Sequence, residues 1–150
     1  MMSIFNAINT SASALTAQRL RMDVVSSNMA NAQTTRARVT EDGEIEAYRR
    51  KMVVMEPQEK NFKSFLTKAK NDHSGSGVKV SRIKEDKEPF KLEFNPTHPD
   101  ADEAGYVQMP NVDPLKEMVD LMSATRSYEA NVTTLNANKN MLMKALEIGK

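Results

Sequence analysis

The fold of this chain is decided by residues 111–150, NVDPLKEMVDLMSATRSYEANVTTLNANKNMLMKALEIGK, which carry its longest regular apolar pattern. Alternating steps of three and four residues connect Met118, Leu121, Tyr128, Val132, Leu135, Leu142 and Leu146, and only Thr125 and Lys139 interrupt the series. A mean step of about 3.5 residues keeps one seam of an α-helix facing a partner over many turns. The pattern therefore predicts a long amphipathic helix with an uncovered seam.

The ends of this helix are marked by residues of the expected kinds. Asp113 is placed to accept hydrogen bonds from the free N–H groups of the first turn, and Pro114 suits the first helical position. Gly149 offers a stop. Because a single helix cannot bury its own seam, the sequence predicts that a second helix covers it.

A second amphipathic helix is predicted from residue 3 to about residue 33. Its seam repeats every seventh residue through Ile8, Leu15, Met22 and Met29, with Ile4, Ala12, Val25 and Ala32 beside them. Ser11 and Gln18 lie on the same face and make this seam sparser than the C-terminal one. Asn28 and Asn31, followed by Thr34, favour local bonds to the backbone and predict the helix end.

Three interpretations of this N-terminal segment stay open on the residues alone. It forms a helix paired with the C-terminal helix, a membrane-surface helix, or an organelle transit peptide. A polar face of Ser, Thr, Asn and Gln argues against membrane binding. Removal as a transit peptide would take away the obvious partner of the C-terminal seam.

The middle of the chain predicts a small β-rich insert. Strand candidates are residues 47–55, 78–83, 90–94 and 106–109, with turns at 40–46 and 84–88 and a surface loop at 95–104. A flexible linker is predicted near residues 58–77, which end in a Gly/Ser run. The basic triplet Arg49, Arg50 and Lys51 is interpreted as a solvated or interface edge.

Composition excludes several functional classes. The chain has 150 residues, a net charge of +1, 27% charged residues, and no cysteine, so disulfide scaffolds and thiolate chemistry are ruled out. No segment has the dense basic face of a nucleic-acid surface. Apolar runs are far shorter than the roughly 20 residues of a membrane span, so we expect no direct membrane insertion. No signal-peptide pattern begins the chain, so if the protein leaves the cytoplasm it must use a route without a cleaved signal.

The one cluster with possible reactive chemistry combines His98, Asp100, Asp102 and Glu103. It lacks the ligand alternation and central glycine of a calcium loop, and His98 has no second histidine at a ligand spacing. We interpret it as an acidic turn shaped by its prolines, with a bound metal as the alternative. Tyr128 is interpreted as a packing residue. Neither a nucleophile elbow nor a phosphate-binding loop occurs, so we expect no catalytic, cofactor or metal site, and no enzyme.

Several stretches are similar to those of a known family. Residues 15–23 (LTAQRLRMD) and 26–35 (SSNMANAQTT) resemble the N-terminal signature of bacterial flagellar rod and hook proteins, and residues 117–131 (EMVDLMSATRSYEAN) resemble their terminal helix. Residues 48–51, 95–102, 105–107 and 110–112 are similar to the proximal-rod branch in particular. The family motif positions here are Asn28, Asn31, Thr34, Arg126, Tyr128 and Asn131. One departure is that many relatives have Gly-Tyr after the Thr, whereas residues 36–38 are Arg-Ala-Arg.

The resemblance implies a structural subunit of the flagellar basal-body rod, located in the cell envelope and exported through the flagellar type III apparatus. It implies as partners other rod proteins, the rod-to-ring adaptor protein, the export apparatus and copies of itself, with no nucleic acid. It also removes the transit-peptide interpretation. A different class stays as the alternative: a helical-hairpin binding module that acts as an export chaperone or membrane-surface adaptor.

The combined prediction is an α+β fold in which long terminal helices pair in a coiled-coil-like bundle around a small β-rich insert. Its parts are an N-terminal axial helix (1–35), the insert (36–110) and a C-terminal axial helix (111–150). The predicted subunit and helix interface comprises Ile8, Leu15, Met22, Val25, Met29, Met118, Leu121, Tyr128, Val132, Leu135, Leu142 and Leu146.

Overall fold

The computed structural model describes residues 2–39, 45–58 and 77–148. Within these residues, two long helices, α1 (Met2–Ala30) and α2 (Pro114–Ile148), stand before and after six short strands in the sequence. The strands are β1 (Arg38–Val39), β2 (Ile45–Glu46), β3 (Lys51–Pro57), β4 (Val78–Glu85), β5 (Lys91–Phe94) and β6 (Tyr106–Met109). The α+β prediction is confirmed at this level, and the predicted coiled-coil pairing of the helices stays a prediction.

Helix α1 ends three residues earlier than the predicted end near residue 33, because local bonds take over after Ala30. Asn31 N–H still makes the helical bond to Ser27 O at 3.1 Å, and Asn31 Nδ2 donates to the same carbonyl over 2.8 Å, but Ala32 N–H donates to Met29 O, only three residues back, over 3.3 Å. Thr34 Oγ1 lies 3.2 Å from Asn31 Oδ1. Asn31 and Thr34 thus close the helix as expected, whereas Asn28 does not take part in this turn.

The start of α2 follows the sequence prediction closely. Pro114 is the first helical residue, and Asp113 Oδ1 accepts a 3.0 Å hydrogen bond from Leu115 N–H. An acceptor at this position satisfies one of the donors that a helix leaves unpaired and stabilises it by about 1 kcal/mol. The predicted stop at Gly149 lies outside the described residues.

The strands form three separate two-stranded sheets, β1–β2, β3–β4 and β5–β6. The first and third are antiparallel, with Arg38 opposite Glu46 and Phe94 opposite Tyr106. Gly105 precedes β6 with a φ of 81°, and a Cβ there would lie 3.0 Å from the Phe94 ring, so the hairpin needs glycine. The Phe94 and Tyr106 rings pack edge to face with centroids 5.3 Å apart.

Some predicted boundaries were wrong. Strand β3 begins at Lys51, not at residue 47, because residues 47–50 leave the ladder to bond elsewhere. Strand β4 continues to Glu85, so the predicted charged turn at 84–88 begins two residues later. Ile45 and Glu46, assigned to a turn, pair with β1. Most of the predicted linker near 58–77 lies outside the described residues, as do residues 40–44.

The chain forms two compact units. One comprises Met1–Leu20, Val54–Arg82 and Ser123–Lys150, and the other comprises Arg21–Val53 and Ile83–Met122. Both helices contribute to each unit. The division into segments 1–35, 36–110 and 111–150 stays a prediction.

Candidate helix junction and subunit interface

The last turn of α1 carries a buried polar side chain, Asn28, that is 0% exposed. Its Nδ2 donates to Glu117 Oε2 over 2.9 Å and to Lys51 O over 2.8 Å. Its Oδ1 accepts from Lys51 N–H over 2.9 Å and from Tyr48 Oη over 3.1 Å. Both polar ends of the amide are therefore satisfied by segments distant in sequence, which is the condition under which a buried amide is tolerated. The prediction that Asn28 bonds locally was wrong.

Glu117 is the second centre of this junction and is also 0% exposed. Its Oε1 accepts a 2.5 Å hydrogen bond from Arg50 Nε. Arg50 further contacts Asp86 Oδ2 at 3.3 Å and Asp120 Oδ2 at 3.6 Å. A carboxylate in the first turns of a helix also meets the positive end of the helix dipole. We call Asn28, Arg50 and Glu117 the polar junction.

The charges of the polar junction reinforce one another. Burial by itself lowers the pKa of Arg50, but the hydrogen bonds and charges of Glu117 and Asp86 outweigh it and raise that pKa. Burial likewise raises the pKa of Asp86, and the Glu88 N–H together with Arg50 lowers it below the usual value on balance. Arg50 thus stays charged beside two carboxylates, Glu117, which is fully buried, and Asp86, which is partly buried.

The backbone of this region is tied down as well. Arg50 N–H donates to Asn111 Oδ1 over 2.8 Å, and Asn111 Nδ2 donates to Glu88 O over 3.1 Å. These bonds explain why residues 47–50 leave the strand. They also correct the interpretation of the basic triplet as an edge: Arg50 is buried, while the Arg49 guanidinium stacks 4.3 Å from the centre of the Phe90 ring. Only Lys51 is exposed.

A second tie links the segment after α1 to the acidic loop. Thr35 Oγ1 donates to Asp100 Oδ2 over 2.8 Å, and Arg36 Nε donates to Asp100 Oδ1 over 2.6 Å. These partners lower the pKa of Asp100, the Arg36 hydrogen bond most of all. Across residues 2–39, 45–58 and 77–148, no three His, Asp or Glu side chains are placed to hold a metal ion. Asp100 therefore ties the loop to Thr35 and Arg36, the first residue of the Arg-Ala-Arg departure.

In the other unit, Ser13 of α1 holds the start of β4. Its hydroxyl accepts from Val78 N–H over 3.0 Å and donates to Thr10 O over 2.7 Å. A Cβ on Gly77 would lie 2.5 Å from this oxygen, so only glycine allows the approach.

The predicted interface positions are incompletely covered within the described part of the chain. On α1, Val25 is buried, and Ile8, Leu15, Met22 and Met29 are half-buried. On α2, Leu121, Tyr128, Val132, Leu135 and Leu142 are half-buried, and Met118 and Leu146 are exposed. Their role in an interface stays a prediction.

Further large apolar side chains on α2 are exposed. Near its start they are Leu115, Met118, Val119 and Met122, and near its end they are Met141, Met143, Leu146 and Ile148. Leu115 is 71% and Leu146 is 75% exposed. We call Leu115, Met118, Val119 and Met122 the outer face of α2. Their spacing of three, one and three residues places them on one side of the helix.

The family motif positions take different parts. Asn28 belongs to the polar junction, Asn31 and Thr34 close α1, and Asn131 Nδ2 donates to Ser127 O over 2.8 Å within α2. Arg126 is exposed and Tyr128 is half-buried. Sequence reasoning missed Arg50, Glu117 and Asp86. The sequence feature that could have indicated Glu117 was its position as an acid between Leu115 and Met118, at the start of the amphipathic helix α2.

Comparison with known proteins agrees with this architecture at both ends of the chain. Residues 8–38 match the family described as flagella basal body rod protein. Residues 103–148 match the family described as flagellar basal body rod FlgEFG protein C-terminal. Both matched segments are thus those of flagellar rod proteins.

Curated relatives narrow the assignment. Flagellar basal-body rod protein FlgC of Bacillus subtilis (strain 168) is 61% identical over 151 residues, covering 99% of this chain and 100% of the relative. FlgC of Borreliella burgdorferi is 44% identical, covering 98% of each chain. FlgC of Escherichia coli O6:H1 is 42% identical, covering 99% of this chain and 100% of the relative. The chain therefore belongs to the FlgC family of flagellar basal-body rod proteins.

Proposed function

We propose that this chain is a structural subunit of the bacterial flagellar basal-body rod and that it polymerises through its terminal helices. Family membership over almost the whole chain carries the first part of the proposal. The second part is supported by the apolar side chains that α2 leaves exposed at both of its ends. A structural role of this kind requires no catalytic group, and we propose none.

The physical basis of assembly would be burial of these side chains against neighbouring subunits. Moving a leucine or methionine side chain from water into an interface contributes about 1.5–3 kcal/mol before the costs of ordering are subtracted. A subunit repeated through heterologous contacts builds an open helical array, and a rod that transmits torque needs many such contacts. Pairing of the two helices in a coiled-coil-like bundle belongs to this proposal.

The partners follow from the same proposal. Association with other rod components is what membership of a rod family implies. We further propose contacts with copies of itself, with the rod-to-ring adaptor protein and, during export, with the flagellar type III apparatus. In the described part of the chain, neither helix combines the length and apolarity that crossing a membrane requires.

The test replaces one exposed apolar residue and one matched neighbour. Leu146→Asp places a charge at a predicted interface position that is 75% exposed, so the folded subunit should tolerate it while assembly fails. Ala145→Asp puts the same charge on the adjacent exposed position. Each variant is expressed in cells that lack the chromosomal copy, and swimming in soft agar and rod content of purified basal bodies are measured.

We expect the Leu146→Asp cells to be non-motile and without completed rods, and the Ala145→Asp cells to swim. Circular dichroism of both purified subunits checks that each is folded. Normal swimming of the Leu146→Asp cells would refute polymerisation through this position.

A further inference from the structure

The rotation of α2 about its own axis is opposite to what hydrophobic burial would select. In its first turns, Glu117 is fully buried and Asp120 is partly buried, whereas the outer face (Leu115, Met118, Val119, Met122) is exposed. Turning the outer face inward would bury four large apolar side chains, a change that hydrophobic burial favours. Some specific interaction must therefore hold the helix in the observed orientation.

We propose that the polar junction is a positioning device that fixes the axial register and rotation of α2 against the last turn of α1 and against residue 50. It thereby presents the outer face of α2 to neighbouring subunits, and in this it rests on the proposed function. Asn28, Arg50 and Glu117 are positioning residues, because they are buried in the subunit and act through the placement of the outer face.

The geometry of the junction supplies the necessary selectivity. Glu117 uses one carboxylate oxygen for Asn28 and the other for Arg50, at 2.9 and 2.5 Å. Slippage of α2 by one turn, about 5.4 Å, would break both bonds and leave the buried Glu117 carboxylate without either partner, while Asn28 would keep only Lys51 and Tyr48. Buried polar groups are known to select register in paired helices for this reason, at some cost in stability.

One other contact joins the same two helix segments and serves as a control. Arg21 Nη2 lies 3.0 Å from Asp120 Oδ1, but about a third of each side chain is exposed. An exposed ion pair contributes little and tolerates rearrangement. Removing it should leave the register unchanged.

The experiment separates register from stability with two variants of the full chain. Arg50→Met with Glu117→Leu replaces the buried ion pair by apolar groups, a change that is often neutral or stabilising. Glu117→Gln keeps the shape and an acceptor for Asn28 but loses the charge that Arg50 needs. If the junction only stabilised the fold, the less stable variant would have the less defined register. If the junction positions α2, the apolar double variant has the less defined register although it is the more stable of the two.

Register is measured by pulsed electron paramagnetic resonance between two spin labels on the unassembled subunit. The chain has no cysteine, so Ser26→Cys on α1 and Met122→Cys on α2, both exposed, are the only labelled sites. Stability is measured by urea unfolding of the same labelled proteins.

We expect one narrow distance distribution for the otherwise unchanged protein, for Arg21→Ala and for Glu117→Gln, although Glu117→Gln unfolds at lower urea. The apolar double variant should unfold at higher urea than Glu117→Gln, yet show a broadened distribution or a second distance shifted by about 5 Å, one helical turn. Cells carrying it should not swim.

A single narrow distance, unchanged in the apolar double variant, would overturn the proposal. If that variant does not fold, Glu117→Gln decides instead: a broadened distribution there refutes the proposal, and a narrow distribution in a protein that unfolds at lower urea supports it. Because the distances are measured on the free subunit, their outcome is independent of whether Leu146→Asp blocks rod assembly.

Discussion

The polar junction buries polar side chains, whereas the last turns of α2 expose apolar ones. At the junction, Asn28 and Glu117 are fully buried, and Glu117 bonds to Asn28 and Arg50 of the same chain. In the last turns, Met141, Leu146 and Ile148 are exposed to solvent. The comparison suggests a division of labour in which polar contacts define the conformation of the subunit and apolar contacts are left for association. Each prediction below changes one side of this comparison.

The largest effect is expected from breaking the junction on one side only. Glu117→Leu removes the acceptor of Arg50 Nε, whose side chain is only 10% exposed, and one partner of Asn28. Removing one partner of a buried ion pair costs about 3–5 kcal/mol, and we expect the lower end here because Arg50 keeps its contacts with Asp86 and Asp120 at 3.3 and 3.6 Å. Urea unfolding should record a loss of this size. Glu129→Leu, an exposed acid of the same helix, should change stability by less than about 0.5 kcal/mol. Equal losses in the two variants would mean that the junction contributes nothing special.

A smaller loss of stability is expected on acidification. Acid acts on the junction through Asp86, which pairs with Arg50. Although burial raises the pKa of Asp86, the Glu88 N–H and Arg50 lower it on balance in the folded state, so these contacts stabilise the fold at pH values above the ordinary 3.8. That stabilisation is lost as the pH falls below 3.8 and through the lowered pKa. Asp86→Asn should therefore be less stable than the natural chain at neutral pH and equally stable at the acid end. A difference that persists unchanged in acid would contradict this assignment.

The sequence predicts one side of the comparison much better than the other. The helices, the Asp113 cap and the strand at residues 106–109 follow from local spacing, and the structure confirms them. The polar junction joins residues that are 67 and 89 positions apart. No local pattern specifies which buried carboxylate will meet which arginine, because tertiary packing makes that choice. For the same reason β3 could not be seen to start at Lys51: the Asn111 side chain takes the Arg50 N–H.

A moderate effect is expected in the other compact unit, where the Ser13 hydroxyl holds the start of β4. Ser13→Ala removes the acceptor of Val78 N–H. A part-buried donor left without a partner costs about 1–3 kcal/mol, and urea unfolding should show it. Thr16→Ala is the matched control, because the exposed Thr16 hydroxyl bonds only to its own helix, at Ala12 O. If both variants lose the same stability, the Ser13 contact with β4 contributes nothing beyond a local helix effect.

The smallest change in stability is expected at Leu115, only two residues before Glu117, where the largest change is expected. Leu115→Glu adds a charge to an apolar residue at the start of α2, a change that would be severe in a core. Leu115 is, however, 71% exposed and lies in the first turn, where a negative charge meets the positive end of the helix dipole. Its stability should therefore change by less than about 0.5 kcal/mol. Glu117→Leu should thus lower the stability of the subunit far more than Leu115→Glu.

In cells, both variants should abolish motility. Leu115→Glu places a charge on the outer face of an intact subunit, whereas Glu117→Leu destabilises the subunit itself. Folded, soluble Leu115→Glu protein from non-motile cells would separate association from folding at two positions of one helix only two residues apart. Motile cells would show that the outer face is not an interface.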